Sequence, residues 1–221
     1  MIPVFDGHND LLLRLFASPG RRNDIWLNGD GKGHLDLPRM RAGGFAGGFF
    51  AIYIPNSAAY DLDAMERAMN NPPYAFPLPR PIPLAEAQPV ALTKAAHLFW
   101  MERQGGLRIV RTVAGIRAAM AAGEIAAIMH MEGAEAIDEG LDALYVWHAA
   151  GLRSLGPVWS RPTVFGHGVP FAYPSSPDTG AGLTAAGKRL IRACNDLKIL
   201  VDLSHLNERG FDDVAAISAA P

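Results

Sequence analysis

An imidazole and a carboxylate two residues apart, His8 and Asp10, end the run Val4-Phe5-Asp6-Gly7-His8-Asn9-Asp10. Apolar residues lead into the pair, so the stretch reads as a short buried strand, and side chains two apart on a strand share a face. Both groups then reach into one cavity. A histidine nitrogen beside a carboxylate oxygen suits a borderline cation such as zinc and leaves a position open for water or substrate. The same residues also read as a surface turn, because Asp, Gly and Asn favour turns and cap helices.

Two groups far along the chain shift that balance. Glu132 closes the apolar run Ile125-Ala126-Ala127-Ile128-Met129-His130-Met131-Glu132. A carboxylate there is paired, protonated or bound to a cation, the plainer alternative being an exposed acid in the first turn of the next helix. His205 closes Ile199-Leu200-Val201-Asp202-Leu203-Ser204-His205, where the alternative is a hydrogen-bonded core histidine. A carboxylate can bridge two cations, and with histidines on either side the four side chains make the core of a two-metal hydrolytic site. Asp202 is better placed to orient a ligand than to be one. His130 alternates with Glu132 and shares its face, behind the ligands. His167, in Phe165-Gly166-His167-Gly168, sits on a strand-to-helix loop within reach of substrate. His34, His97 and His148 fall in loop or helical contexts and read as solvated or structural.

The elements that must position these groups alternate between strand and helix. Strands are expected at residues 4–10, 49–54, 107–112, 125–132, 152–159 and 199–205, with helices over residues 11–16, 37–41, 62–69, 91–103, 113–122, 141–150, 184–197 and 208–218. Apolar strands without strict polar alternation predict a parallel sheet covered by helices, and the candidate ligands all fall at strand carboxyl ends. That shared edge is what a (β/α) barrel provides. Residues 18–32 and 160–182 read as irregular loops. Residues 55–90 carry Pro72, Pro73, Pro77, Pro79, Pro81, Pro83 and Pro89, a long excursion read as a lid or as an interface for a homodimer. The cluster Gly43-Gly44-Phe45-Ala46-Gly47-Gly48 precedes a strand instead of opening a helix, so it reads as a place of close backbone approach and not as a phosphate cradle.

With 221 residues, 49% of them hydrophobic, the chain can bury a real core and is expected to form a single domain over 1–221. A net charge of −2 with scattered basic residues argues against nucleic acid as a partner. No run of about 18 apolar residues is present, so no membrane partner is expected. The single Cys194 excludes an internal disulfide framework and fits a cytoplasmic location; its apolar, helical setting reads as a buried structural thiol.

Taken together these residues resemble the membrane (renal) dipeptidase family of zinc metallopeptidases, in particular its soluble bacterial members. The resemblance rests on Asp6-Gly7-His8-Asn9-Asp10, on the segment from Asp36 through Gly44, on Glu132-Gly133 and on Gly151-Leu152-Arg153-Ser154-Leu155. It continues in Gly182-Leu183-Thr184-Ala185-Ala186-Gly187 and in Asp202-Leu203-Ser204-His205. Position 10 is aspartate, which separates the chain from amidohydrolases that open with His-x-His.

The resemblance implies an α/β fold of the (β/α)8 TIM-like barrel type and two Zn2+ ions per complete site. His8 and Asp10 bind one, His205 the other, and Glu132 bridges them as the catalytic carboxylate, with a shared hydroxide attacking the peptide carbonyl of a dipeptide. The family's substrate-contacting histidine aligns with Trp159, so Trp159 or His167 takes the substrate contact, or the chain manages without that group. The family also places a second histidine for the second zinc, an acid-base aspartate and a substrate-binding arginine beyond position 221. On that count roughly the first five to six β/α units of the barrel are present, the barrel is incomplete, and the chain alone should bind metal incompletely and lack useful activity. A catalytically silent binding or assembly relative, and a metal-dependent amide or lactam hydrolase, are the alternative readings.

Overall fold

The computed structural model describes residues 2–56 and 62–220. From the amino terminus the elements are β1 (Val4–Asn9), α1 (Leu11–Phe16), a π-helical turn (Asn23–Asn28), α2 (Leu37–Ala42), β2 (Phe45–Tyr53), α3 (Leu62–Met69) and β3 (Tyr74–Ala75). Then come α4 (Leu84–Gln104), β4 (Leu107–Ile109), α5 (Val113–Ala121), β5 (Ile125–Glu132) and α6 (Asp142–Ala150). The last are β6 (Leu152–Gly156), β7 (Ala172–Tyr173), α7 (Ala185–Leu197), β8 (Leu200–Val201) and α8 (Glu208–Ile217). The main sheet runs β1-β2-β5-β6-β8, with β4 paired to β5, and β1/β2 and β4/β5 pair in parallel. This is the α/β pattern with parallel strands expected of part of a (β/α)8 TIM-like barrel.

By internal contacts the chain divides into two compact units: Met1–Tyr53, Pro89–Met131 and Trp147–Ser154 form the first, and Ile54–Gln88, Glu132–Val146 and Leu155–Pro221 the second. In the first, β2 packs beneath β1 through its glycines. A Cβ on Gly47 would stand 2.5 Å from the Phe5 ring and 2.6 Å from the Ala126 carbonyl oxygen, and one on Gly48 would stand 2.8 Å from Asp6 Cβ. No side chain fits there, so the cluster serves close backbone approach. Val110, Ala119, Ala126 and Ile128 form an apolar core, with Phe49 and Ile116 packed against it.

In the second unit Val158, Leu183, Ile191, Leu206 and Val214 pack together beneath α7 and α8. Thr184 caps α7 by accepting from the Gly187 amide at 3.0 Å, and Asn207 caps α8 by accepting from the Gly210 amide at 2.9 Å. Asp213 on α8 accepts from the Leu183 amide at 2.9 Å and pairs with Lys188 on α7 at 2.6 Å.

Several boundaries differ from expectation. β2 begins at Phe45, inside the glycine cluster, because pairing with β1 outweighs the poor strand propensity of glycine. The proline-punctuated stretch before residue 91 is partly helical, since α4 starts at Leu84 and carries Pro89. Residues 18–32 contain the π-helical turn, which buries Ile25 and Trp26. β3 and β7 join the excursion of residues 55–90 and the loop of residues 160–182 into an antiparallel ribbon. Residues 57–61 of the excursion lie outside the described residues.

Candidate metal centre

The pairing of β1 with β2 is irregular between Asp6 and Asn9. Asn9 turns inward, 7% exposed, and its amide donates to Asp6 Oδ2 at 3.0 Å and to the Phe49 carbonyl at 3.1 Å. His8 and Asp10 are exposed and stand close together, with His8 Nε2 3.9 Å from Asp10 Oδ1. Asp10 lies just past the strand, at the start of α1. The His8 ring meets the His130 ring edge-on, centroids 5.6 Å apart. His130 itself is buried in β5 and shares a 2.9 Å hydrogen bond through Nδ1 with Ser154 Oγ on β6.

Glu132 is the last residue of β5, two after His130, with 12% of its side chain exposed. In the first unit His8 and Asp10 stand at the carboxyl end of β1, and in the second Glu132 stands at the carboxyl end of β5. Imidazole and carboxylate donors fit a divalent transition cation.

Glu132 Oε1 also lies 3.3 Å from His205 Nε2. β8 ends at Val201, four residues short of His205, so the expected long strand is replaced by a turn. Asp202 Oδ1 accepts from the Ser204 amide at 2.9 Å, and His205 takes a left-handed conformation with φ of 67°. That conformation costs a non-glycine residue energy, and the hydrogen bond from the Val169 amide to the His205 carbonyl at 2.9 Å helps hold it. Asp202 thus shapes the turn that presents His205. Ser160 Oγ lies 3.4 Å from His205 Nδ1, and the Trp159 ring stands 5.8 Å from the imidazole. The His167 side chain is exposed, and its carbonyl accepts from the Asn207 amide at 3.3 Å.

Sequence reading overlooked two features. His34 lines, with His8, Asp10 and Arg14, a cavity of about 510 Å³ beside β1. Arg161 and Glu135 form an ion pair that is almost wholly out of water, 2.6 Å between Nη2 and Oε1. Burial raises the Glu135 carboxyl above its ordinary value, the neighbouring Glu132 charge adds to the rise, and the Arg161 charge opposes it. Cys194 is buried, and burial pushes its thiol up to about 12, which makes it inert at neutral pH.

The chain belongs to the membrane dipeptidase family, peptidase family M19, whose model matches residues 1–221. It is 64% identical to a metallopeptidase from Rhodobacter sphaeroides solved with a phosphinate mimic of the dipeptide L-Ala-D-Ala, with a TM-score of 0.97 over 100% of this chain and 63% of that one. It is 63% identical to a metallopeptidase described as dipeptidase AC, with a TM-score of 0.95 over 100% of this chain and 62% of that one. An uncharacterized Acinetobacter calcoaceticus protein, encoded in the PQQ-III 3' region, is 38% identical over 100% of this chain and 69% of its own length. The chain thus spans somewhat under two thirds of the solved structures it matches. Among the described residues no helix is long and apolar enough to cross a membrane.

Proposed function

We propose that the protein is a zinc-dependent dipeptidase that works with two cations. His8 and Asp10 hold one, His205 holds the other, and Glu132 bridges them as the catalytic carboxylate. The observation that carries this reading is the approach of the Glu132 carboxylate to His205, 3.3 Å from Oε1 to Nε2, and it is supported by the His8 imidazole lying 3.9 Å from the Asp10 carboxylate. A bound cation pair supplies an acidified water and a Lewis acid for the scissile carbonyl.

The chain's own residues hold that chemistry in place. His130 backs the His8 ring, Asp202 fixes the turn beneath His205, and Trp159 offers a broad apolar face next to His205 for a small peptide. His167, exposed on the same loop, is the second candidate for substrate contact. The relative solved with a dipeptide mimic supports the substrate class. A cytoplasmic location is part of the proposal and is supported by the single free thiol.

The test is calorimetric titration of zinc into the metal-free chain, paired with an assay on alanyl dipeptides. Zinc uptake that depends on His8, Asp10, Glu132 and His205 supports the reading. Wild-type protein that takes up no zinc, or a Glu132→Gln variant that takes up as much as wild type, overturns it.

A further inference from the structure

Building on that reading, we infer that Arg161 is a positioning residue for the cation held between Glu132 and His205. Its side chain is 0% exposed and lies in the loop after β6. Nη2 donates to the Ile54 carbonyl at 2.8 Å, just past β2, and Nη1 donates to Asn56. Nε and Nη2 donate to Glu135 Oε1 at 2.9 and 2.6 Å, in the turn three residues after Glu132. The guanidinium carbon sits 5.7 Å from the centre of the Trp159 ring, the same ring that stands against His205. A single cation therefore ties together the backbone after β2, the turn that follows Glu132 and the aromatic wall beside His205.

The chemistry of this clamp is specific to arginine. A planar fork of five donors can serve a carbonyl, an amide oxygen and a carboxylate at once while presenting a face to an indole, and an ammonium cannot. Stability alone does not call for such a pair, since packed apolar side chains of similar volume often do as well or better. The turn is also shaped to admit the carboxylate. Gly133 has φ of +78°, and a Cβ there would stand 2.4 Å from Glu135 Oε2. Glu132 and Glu135 are thus held on one tight turn, and Arg161 anchors its far end.

Zinc chloride titrated into the metal-free full chain, followed by tryptophan fluorescence, tests the clamp. Trp159→Phe identifies the part of the signal that comes from the ring beside His205, and His205→Ala identifies the binding it reports. Arg161→Lys keeps the charge; it is expected to weaken His205-dependent binding by about tenfold or more, the cost typical of removing a group that orients a ligand. Zinc binding that survives His205→Ala should not change when Arg161→Lys is added. Asn56→Ala removes one anchor only and should give a smaller loss in the same direction, so it carries the test if the lysine variant does not fold. A folded variant with a lower melting temperature but wild-type zinc affinity overturns the clamp. Wild-type protein with no His205-dependent binding overturns the two-cation reading, and the clamp with it; the two failures are told apart by the wild-type titration.

Discussion

At Glu132 a carboxylate that water would normally surround keeps 12% exposure, with His205 Nε2 3.3 Å away. Replacing it with Gln keeps the shape and removes the charge, which leaves His205 without a carboxylate neighbour and any cation without its bridge. Zinc affinity of the Glu132→Gln variant should fall by more than the ~10–100-fold that loss of an orienting neighbour costs, as measured by chelator competition. Wild-type metal content in the folded variant removes the bridging role. Glu132 and His205 were legible because each ends an apolar run, where a polar group needs a reason. Glu135 and Arg161 were not. Their burial arises from the meeting of loops 26 residues apart, and neither residue type nor spacing announces an ion pair of that kind. His34 was set aside for the same reason, since a loop histidine shows its cavity only once β1 and its neighbours are placed.

Among the elements, β2 shows how packing overrides propensity. Its expected start at residue 49 moved back to Phe45 because Gly47 and Gly48 are pressed under β1, where any side chain would collide. Gly47→Ala therefore drives a methyl into the Ala126 carbonyl and the Phe5 ring, and should cost about 1–3 kcal/mol in urea unfolding, as overpacking does. A variant as stable as wild type would show that β1 and β2 separate easily. Helix α4 was shortened in the sequence reading by its prolines, although Pro89 is accommodated with Thr93 Oγ1 donating to its carbonyl at 2.9 Å. Between α7 and α8 the tie is Asp213. The Lys188 ammonium lowers its carboxyl below the ordinary 3.8, assisted by the Leu183 amide and opposed by partial burial. A depressed folded pKa gives stability that is present above the unfolded value and lost as pH falls through the folded one. The urea midpoint of Asp213→Asn should therefore lie below wild type near pH 7, and the gap should shrink below about pH 3. A gap that stays constant with pH would assign the effect to packing.

Across the whole molecule, the alternation of apolar strands and helices was enough to fix the α/β class and the parallel pairing, because both follow from hydrophobic period. The ribbon of β3 and β7 was not legible, since two residues on each side pair only after distant loops have met. Sheet order has a consequence for behaviour in solution. Among the described residues β1 and β8 end the sheet path, and each carries exposed apolar side chains: Val4 is 49% and Leu200 52% exposed. Edge strands with exposed apolar side chains offer backbone donors and acceptors to another chain, and a lysine on such an edge suppresses that pairing at little cost to the fold. The 221-residue chain is therefore expected to associate as its concentration rises, with sedimentation velocity showing a weight-average mass above that of one chain. Val4→Lys with Leu200→Lys should return it to the monomer while leaving zinc uptake by His8, Asp10, Glu132 and His205 unchanged, because neither position belongs to the ligand set. A wild-type chain that stays monomeric at every concentration would show that these edges are already protected by twist or by neighbouring side chains. Association that persists in the double lysine variant would move the contact away from the sheet and onto a helical face.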